Sequence, residues 1–592
     1  MQFPQLPLTN ITSKSPQRCA SQTSPQRCAK IRYIEHLAWS IWLLLCLMPP
    51  ATAQMMPPGD NNSGSQETEV TPEETNINVT PEGVENNPLD RFTVERFEFE
   101  GNTAFSAERL SQEIAEFTNI PITFAELLQA EAKISKLYTD NGYVNSGAAI
   151  PAQTISNGTV KVQVIEGGLE DIKVFVNGRL SSNYIRSRLS RGTRAPLNQN
   201  RLLEAMQLLV LDPRIENISG ELSAGARPER SLLEVRVEEA DSFTTELFAD
   251  NGRSPSVGSV RRGVRISHDN LLGVGDSLSA SYTNTEGSNA YDFSYTLPVN
   301  GRNGAVSLSG GTTKTEVIEP PFDRVDILGD SVYYELSLRQ PVIETPTRSL
   351  TLGLAAARQQ SKTSLLGVDF PLSPGSDEDG ETRVSALRFF QEWTSRTATS
   401  VFAARSQFSL GTGWFDATVN SQPPDGRFFS WRGQAQYVRR LPINSLLVVR
   451  TDAQFAPRTL VPLEQFGLGG FRSVRGYRQD TLLTDNGILT SAEWRVPVLQ
   501  LGDSSAPPGR GGAVQGLVQL VPFIDFGIAW NSGTTPDPES NKLLGAGLGL
   551  QMSWGDLLDA RIEWGVPLID VESSDRTWQE NGIYFSVNFR PF

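Results

Sequence analysis

The spacing of apolar side chains changes character along this chain, and each change predicts a different kind of element. Phe97 and Phe99 share one face of a short strand that stops at Gly101-Asn102. Ser106 is placed to cap a helix carrying Leu110, Ile114 and Phe117. Thr123, with Glu126 three residues on, has the capping-box spacing. The helix it starts sets Leu127, Ala130, Ile134, Leu137 and Tyr138 on one side and ends at Asn141-Gly142. Strands are predicted over 143–150 and 159–166, the second with Val160, Val162 and Val164 alternating. Residues 168–240 repeat this β-α-α-β-β order. Ile172, Val174 and Val176 alternate in a strand closed by Asn177-Gly178. Helices follow near 181–190 and over 198–211, then strands near 215–223 and over 232–238 with Leu233, Val235 and Val237 inward.

From residue 243 the period becomes two and stays there. Leu278, Ala280 and Tyr282 alternate with Ser, as do Tyr291, Phe293, Tyr295, Leu297 and Val299 with small or polar residues. Leu350, Leu352 and Leu354, and Ala546, Leu548, Leu550, Met552 and Trp554, do the same. One face is greasy and the other is rich in Ser, Thr, Gly and charges of both signs. In a soluble sandwich the greasy face would be a core; in a membrane barrel it meets lipid while the polar face lines a lumen. Aromatic residues at strand ends, charges on the small-residue face (Arg261, Arg265, Glu493, Arg495) and a final strand with Ile583, Phe585, Val587 and Phe589 alternating before Phe592 favour the barrel. At roughly ten residues per crossing, residues 243–592 allow about 16 strands. Loops are expected at 370–382 and 501–512.

Composition removes whole classes of chemistry. The chain has 592 residues, a net charge of −15, three Cys and two His. Cys19, Cys28 and Cys46 all fall within a basic lead-in, an eleven-residue apolar run over 38–48 and the small-x-small triplet Ala51-Thr52-Ala53. That run is too short to span a bilayer as a helix, so residues 1–53 are expected to be a signal peptide. Its removal would leave His268 and no Cys, which excludes thiolate metal sites, disulfides and multi-His centres. His268 sits near the end of a strand on its apolar parity, where an interfacial position is expected. No cofactor is expected, and the acidic balance argues against nucleic acid. Residues 54–90 hold five Pro and no Lys, Arg or aromatic residue, and are expected to be a disordered acidic linker. The Pro spread also argues against a plug helix there.

Residues 463–480 carry four glycines around Val474-Arg475-Gly476-Tyr477, and further on comes Phe523-Ile524-Asp525-Phe526-Gly527. Strand parity turns Phe523, Asp525 and Gly527 into the lumen. An arginine on a loop folded into the barrel would pair there with Asp525 through a two-pronged guanidinium–carboxylate contact. Glu493 and Arg495 are expected to be ordinary channel-lining charges. Asp559, Arg561 and Glu563 are expected to be solvated by lumenal water.

These residues, with the two preceding modules, resemble the two-partner secretion transporters, hemolysin-activator-like pores of the outer-membrane assembly superfamily. Arg475 and Asp525 match that superfamily's interacting pair. The segments 250–252, 270–276 and 295–298 look like the family's first barrel strands, and 142–144 through 164–167 like the end of its first polypeptide-transport-associated (POTRA) module. The resemblance covers about 85% of the chain and implies α+β POTRA modules at 91–167 and 168–240, followed by an all-β transmembrane barrel at 243–592. It implies an outer-membrane location with the modules in the periplasm. The implied partners are a secreted protein in unfolded form, outer-membrane lipid, and the assembly machinery that inserts the barrel. The implied function is export of that protein without ATP. An insertase of other barrels, from the same superfamily, and a passive porin stand as alternatives; an enzyme is not expected.

Overall fold

The computed structural model describes residues 91–227, 229–501, 516–571 and 577–591. The expected leader, the acidic linker, Phe592 and most of the expected 501–512 loop lie outside the described residues.

Two small α+β units come first, and they share one pairing scheme. In the first, the last strand, Thr159–Ile165, lies between Arg96–Glu100, which it pairs in parallel, and Gly147–Ala149, which it pairs antiparallel. In the second, Arg230–Glu239 lies between Gly168–Asn177 (parallel) and Ile215–Ala224 (antiparallel). The capping box at Thr123 and Glu126 closes at the start of the helix Phe124–Asp140, whose apolar stripe Leu127, Ala130, Ile134, Leu137 and Tyr138 is buried. It packs on Val160, Val162 and Val164. The second unit buries Leu202, Met206 and Leu209 of helix Gln199–Val210 against Leu233, Val235 and Val237.

Two expectations for the first unit need correction. The strand expected over 143–150 shrinks to Gly147–Ala149, because the Tyr143 and Ser146 amides close turns onto the Tyr138 and Tyr143 carbonyls. The helix begun at Ser106 ends at Glu113, and a 3₁₀ turn, Ala115–Phe117, carries Phe117 into the core.

Residues 243–589 close into one antiparallel barrel of sixteen strands, from Phe243–Asp250 to Ile583–Phe589, with a two-residue piece at Val368–Asp369. Closure rules out the sandwich, since only one sheet face can point inward. Apolar side chains on the outer parity are exposed: Tyr291, Phe293, Leu354, Ile524, Leu548 and Trp564. On the inner parity Thr351, Gln407, Gln519 and Gln551 are buried. A polar inside and a greasy outside is the arrangement lipid requires. His268 pairs across the sheet with Leu278 and Phe243. The chain ends of the barrel meet in a short seam, Ser586 to Phe589 against Asp250 to Leu247.

The second α+β unit is tied to the turns at one mouth of the barrel. The Ser181 amide donates to the Gly273 carbonyl at 2.8 Å, and Arg179 donates to the Leu271 carbonyl at 2.6 Å. Arg188 donates to Asn303 at 2.7 Å, and Arg191 pairs with Glu344 at 3.1 Å. Three barrel turns thus sit on helix Ser182–Leu189 and its flanks, which fixes the unit beneath the opening.

In the first unit, Glu166 at the end of the central strand ties the helices to the sheet. Its carboxylate accepts from the Thr103 and Ala104 amides, each at 2.7 Å, and from the Tyr138 hydroxyl at 2.8 Å. Burial pushes this carboxyl up, but the hydrogen bonds from Ala104, Thr103 and Tyr138 outweigh burial and hold it below the usual 4.5. A lowered carboxyl stabilises the fold above its unfolded value and loses that contribution as pH falls through its folded value. Protection of the Thr103 and Ala104 amides from hydrogen exchange is therefore expected to weaken as acidification carries the pH below the ordinary carboxyl value of 4.5 and through the lowered folded one. Glu166→Gln should flatten this dependence; an acid response equal in both proteins would contradict it.

Candidate functional site

The segment between strands Leu446–Phe455 and Asn486–Leu501 folds back into the lumen. It carries a small hairpin, Phe466–Leu468 paired with Leu482–Thr484, whose tip holds Val474-Arg475-Gly476-Tyr477. Phe466, Leu468, Val474, Tyr477 and Leu482 pack on Ala529 and Leu543 of the barrel wall. A loop inside a water-accessible channel thereby has an apolar core of its own, which keeps it compact without a helix.

Arg475 is 1% exposed. Its guanidinium meets Asp525 with two prongs, Nε at 2.7 Å and Nη2 at 2.8 Å, and its own amide donates to the same carboxylate at 3.1 Å. Nη1 reaches Glu493 at 2.9 Å and Glu563 at 2.6 Å, and Nη2 donates to Ser491 at 3.3 Å. The guanidinium plane lies over the Phe523 ring at 3.5 Å. Strands Asn486–Leu501, Gly516–Trp530 and Leu558–Pro567 are therefore joined through one side chain. Glu493 is shared further: Arg450, Arg495 and Arg561 reach it at 2.9, 2.8 and 2.9 Å. A carboxylate this dry is tolerable only with such partners.

Glu493 and Arg495 do face the lumen, but they are not ordinary solvated channel charges; both are buried in the network around Arg475. The expectation for Asp559, Arg561 and Glu563 is corrected likewise. They are 1%, 6% and 2% exposed, with Glu563 on Arg475 and Arg561 and Asp559 accepting from Gln551. The loop's Arg475 holds Glu563, and neighbouring wall side chains hold Arg561 and Asp559.

The rest of the motif holds the backbone. Gly476 sits at φ +100°, and its amide donates to the Tyr584 hydroxyl at 3.0 Å. That hydroxyl donates to the Tyr477 carbonyl at 2.6 Å. The Tyr477 hydroxyl lies between the carbonyls of Leu544 and Ile569 at 2.9 and 2.8 Å. Gly527 gives room to Leu468 and Val474: a Cβ there would come within 2.9 and 3.0 Å of them. The wall opposite Arg475 is also bare. A Cβ on Gly545 would stand 1.9 Å from the Arg475 carbonyl oxygen, and one on Gly565 would meet the Gly476 amide at 2.8 Å.

Sequence reasoning missed Gly545, Gly565, Tyr584 and Arg450. The available signal was the run of Gly545, Gly547 and Gly549 on the inner parity of one strand, beside Gly565 on the next, which marks a wall that another backbone must touch. It also missed two outlying ties. Glu464 at the loop's entry pairs with Arg388 across the lumen at 2.7 Å. Arg478, past its tip, pairs with Glu319 and, at 3.5 Å, with Glu580.

Gly545→Val is expected to push the loop off the wall while leaving strand pairing intact, since the inner parity of that strand otherwise has room only for this backbone. Planar-bilayer recordings should then show a larger single-channel conductance than the unmodified protein. An unchanged conductance would mean that the loop does not obstruct the pore.

Comparison with known proteins places the chain in one family. Residues 229–552 match the haemolysin secretion/activation protein family ShlB/FhaC/HecB, and residues 92–167 match the ShlB-type POTRA domain. The outer membrane transporter CdiB of Escherichia coli O6:K15:H31 (strain 536 / UPEC) is 22% identical over 561 residues, 90% of each chain. The heme/hemopexin transporter protein HuxB of Haemophilus influenzae (strain 86-028NP) is 22% identical over 414 residues, 67% of this chain and 70% of its own. The solved structure of CdiB from Escherichia coli has the same fold, with a TM-score of 0.66 at 20% identity, covering 96% of this chain and 100% of its own. Because the family match spans more than half of the sequence, the chain belongs to the ShlB/FhaC/HecB family of two-partner secretion transporters, outer-membrane pores with periplasmic POTRA units that export partner proteins.

Proposed function

We propose that this transporter carries a single secreted protein, in extended and unfolded form, through the lumen now filled by the 456–485 segment. The observation that supports this most directly is the Arg475 clamp. A loop held by one buried arginine to three strands is either in the path of the cargo or part of the wall beside it. The unfolded form is supported by the occupied lumen: beside the inserted hairpin an extended chain, only one strand wide, is easier to admit than a folded domain. The two α+β units are read as capture modules. The edge strands Arg96–Glu100 in one and Gly168–Asn177 and Ile215–Ala224 in the other suit strand addition by an extended segment, whereas the Gly147–Ala149 edge is capped by Ser135. The proposal includes no chemical step: the chain acts as a conduit and not as an enzyme, and it uses no ATP. Its own barrel would be inserted by the outer-membrane assembly machinery.

Deleting the gene is expected to abolish appearance of the partner protein in the medium while unrelated outer-membrane barrels keep their levels. The reverse pattern would favour an insertase. Arg475→Ala is expected to leave a folded barrel, checked by heat-modifiable gel mobility, and to lower export; normal export by that variant would remove the loop clamp from the transport mechanism.

A further inference from the structure

At the mouth where the second α+β unit meets the barrel lies a cavity of about 710 Å³. Its lining holds seven arginines against three carboxylates, in a chain whose overall charge is −15. Arg191 is matched by Glu344, and Arg214 by Asp212. Arg194 and Arg201 on the second unit, and Arg302 on a barrel turn, are exposed and form no ion pair with any described residue. An acidic protein that gathers unpaired guanidiniums around one opening makes a local positive potential that structure alone does not need.

The barrel side of this cavity settles where it leads. Thr296 and Thr351 stand on the inner parity of their strands, opposite the lipid-facing Leu297 and Leu354. The cavity therefore opens into the lumen and not onto the bilayer. A segment that passes from the second unit into the lumen by this cavity meets these arginines. Guanidinium groups bind carboxylates with two parallel hydrogen bonds, and three of them spread over two walls can take successive acidic side chains of one extended strand.

We propose that this arginine-lined vestibule is a binding station for carboxylate-rich extended segments of the exported polypeptide. It engages them after capture and before entry into the lumen. The proposal rests on the export function, and its test is kept apart from that function. The purified full-length protein in nanodiscs is titrated with a fluorescent extended peptide of alternating Glu and Ser, and with its Gln-Ser counterpart. The Glu peptide is expected to bind at least about tenfold tighter, with an advantage that shrinks as salt is raised. Arg194→Gln/Arg201→Gln/Arg302→Gln should abolish the difference. Because Arg201 also donates to the carbonyls of Arg194 and Pro196, Arg194→Gln/Arg302→Gln serves as the milder variant and should remove most of it. Equal affinity for the two peptides, or an advantage that survives both variants, overturns the proposal. So does displacement of the Glu peptide by glycerol phosphate at low concentration, which would assign the site to a lipid headgroup. The gene-deletion experiment reads export independently: binding that follows these expectations, with export retained on deletion, would sustain the vestibule and sink the pore function.

Discussion

One buried guanidinium organises the interior of this barrel. Arg475 has no access to bulk water, so its charge must be answered locally, and Asp525, Glu493 and Glu563 answer it from three strands of one side of the wall. Removing one partner from a buried ionic cluster generally costs about 3–5 kcal/mol, because it strands the others. That asymmetry gives the cluster the energetics of a latch. It is stable when complete and strongly disfavoured when half made, which suits an element with two positions better than one that drifts. The apolar packing of Leu468 and Val474 on the wall gives the loop its bulk adhesion, and the arginine gives it register.

The bare wall beside the latch is its necessary complement. A guanidinium can reach three strands only if the loop backbone lies almost on the sheet, and the absent side chains at Gly545 and Gly565 permit that approach. The alternating pattern that makes the barrel a membrane protein leaves the inner parity free of any apolar requirement. Inner positions can therefore be spent on glycine, charge or hydroxyl without weakening the lipid-facing surface.

Much of this was legible in the sequence because the relevant forces are local or periodic. The capping box at Thr123, the stripe from Leu127 to Tyr138 and the alternation around Ile524 each follow from one element's own geometry. The short strand Gly147–Ala149 was overestimated, because turn hydrogen bonds at Tyr143 and Ser146 compete for the same backbone. Pairing between Arg475 and Asp525 could be argued from parity and motif together. The fates of Glu493, Arg561 and Glu563 could not. Strand parity says that a charge faces inward; whether it is wet depends on what else occupies the lumen and on the stagger between strands. Neither is encoded within a single strand. Arg388 and Glu464 make the same point, since they meet across the lumen from segments 76 residues apart.

The order of the latch's parts along the chain has a further consequence. The groups that bind Arg475 and Tyr477 lie downstream of them: Glu493 by 18 residues, Asp525 by 50, Glu563 by 88, and Tyr584 by 107 from the carbonyl it binds. Because the last of these groups, the Tyr584 hydroxyl, stands on the closing stave of the cylinder, a fully seated tip requires the far end of the polypeptide to be in place.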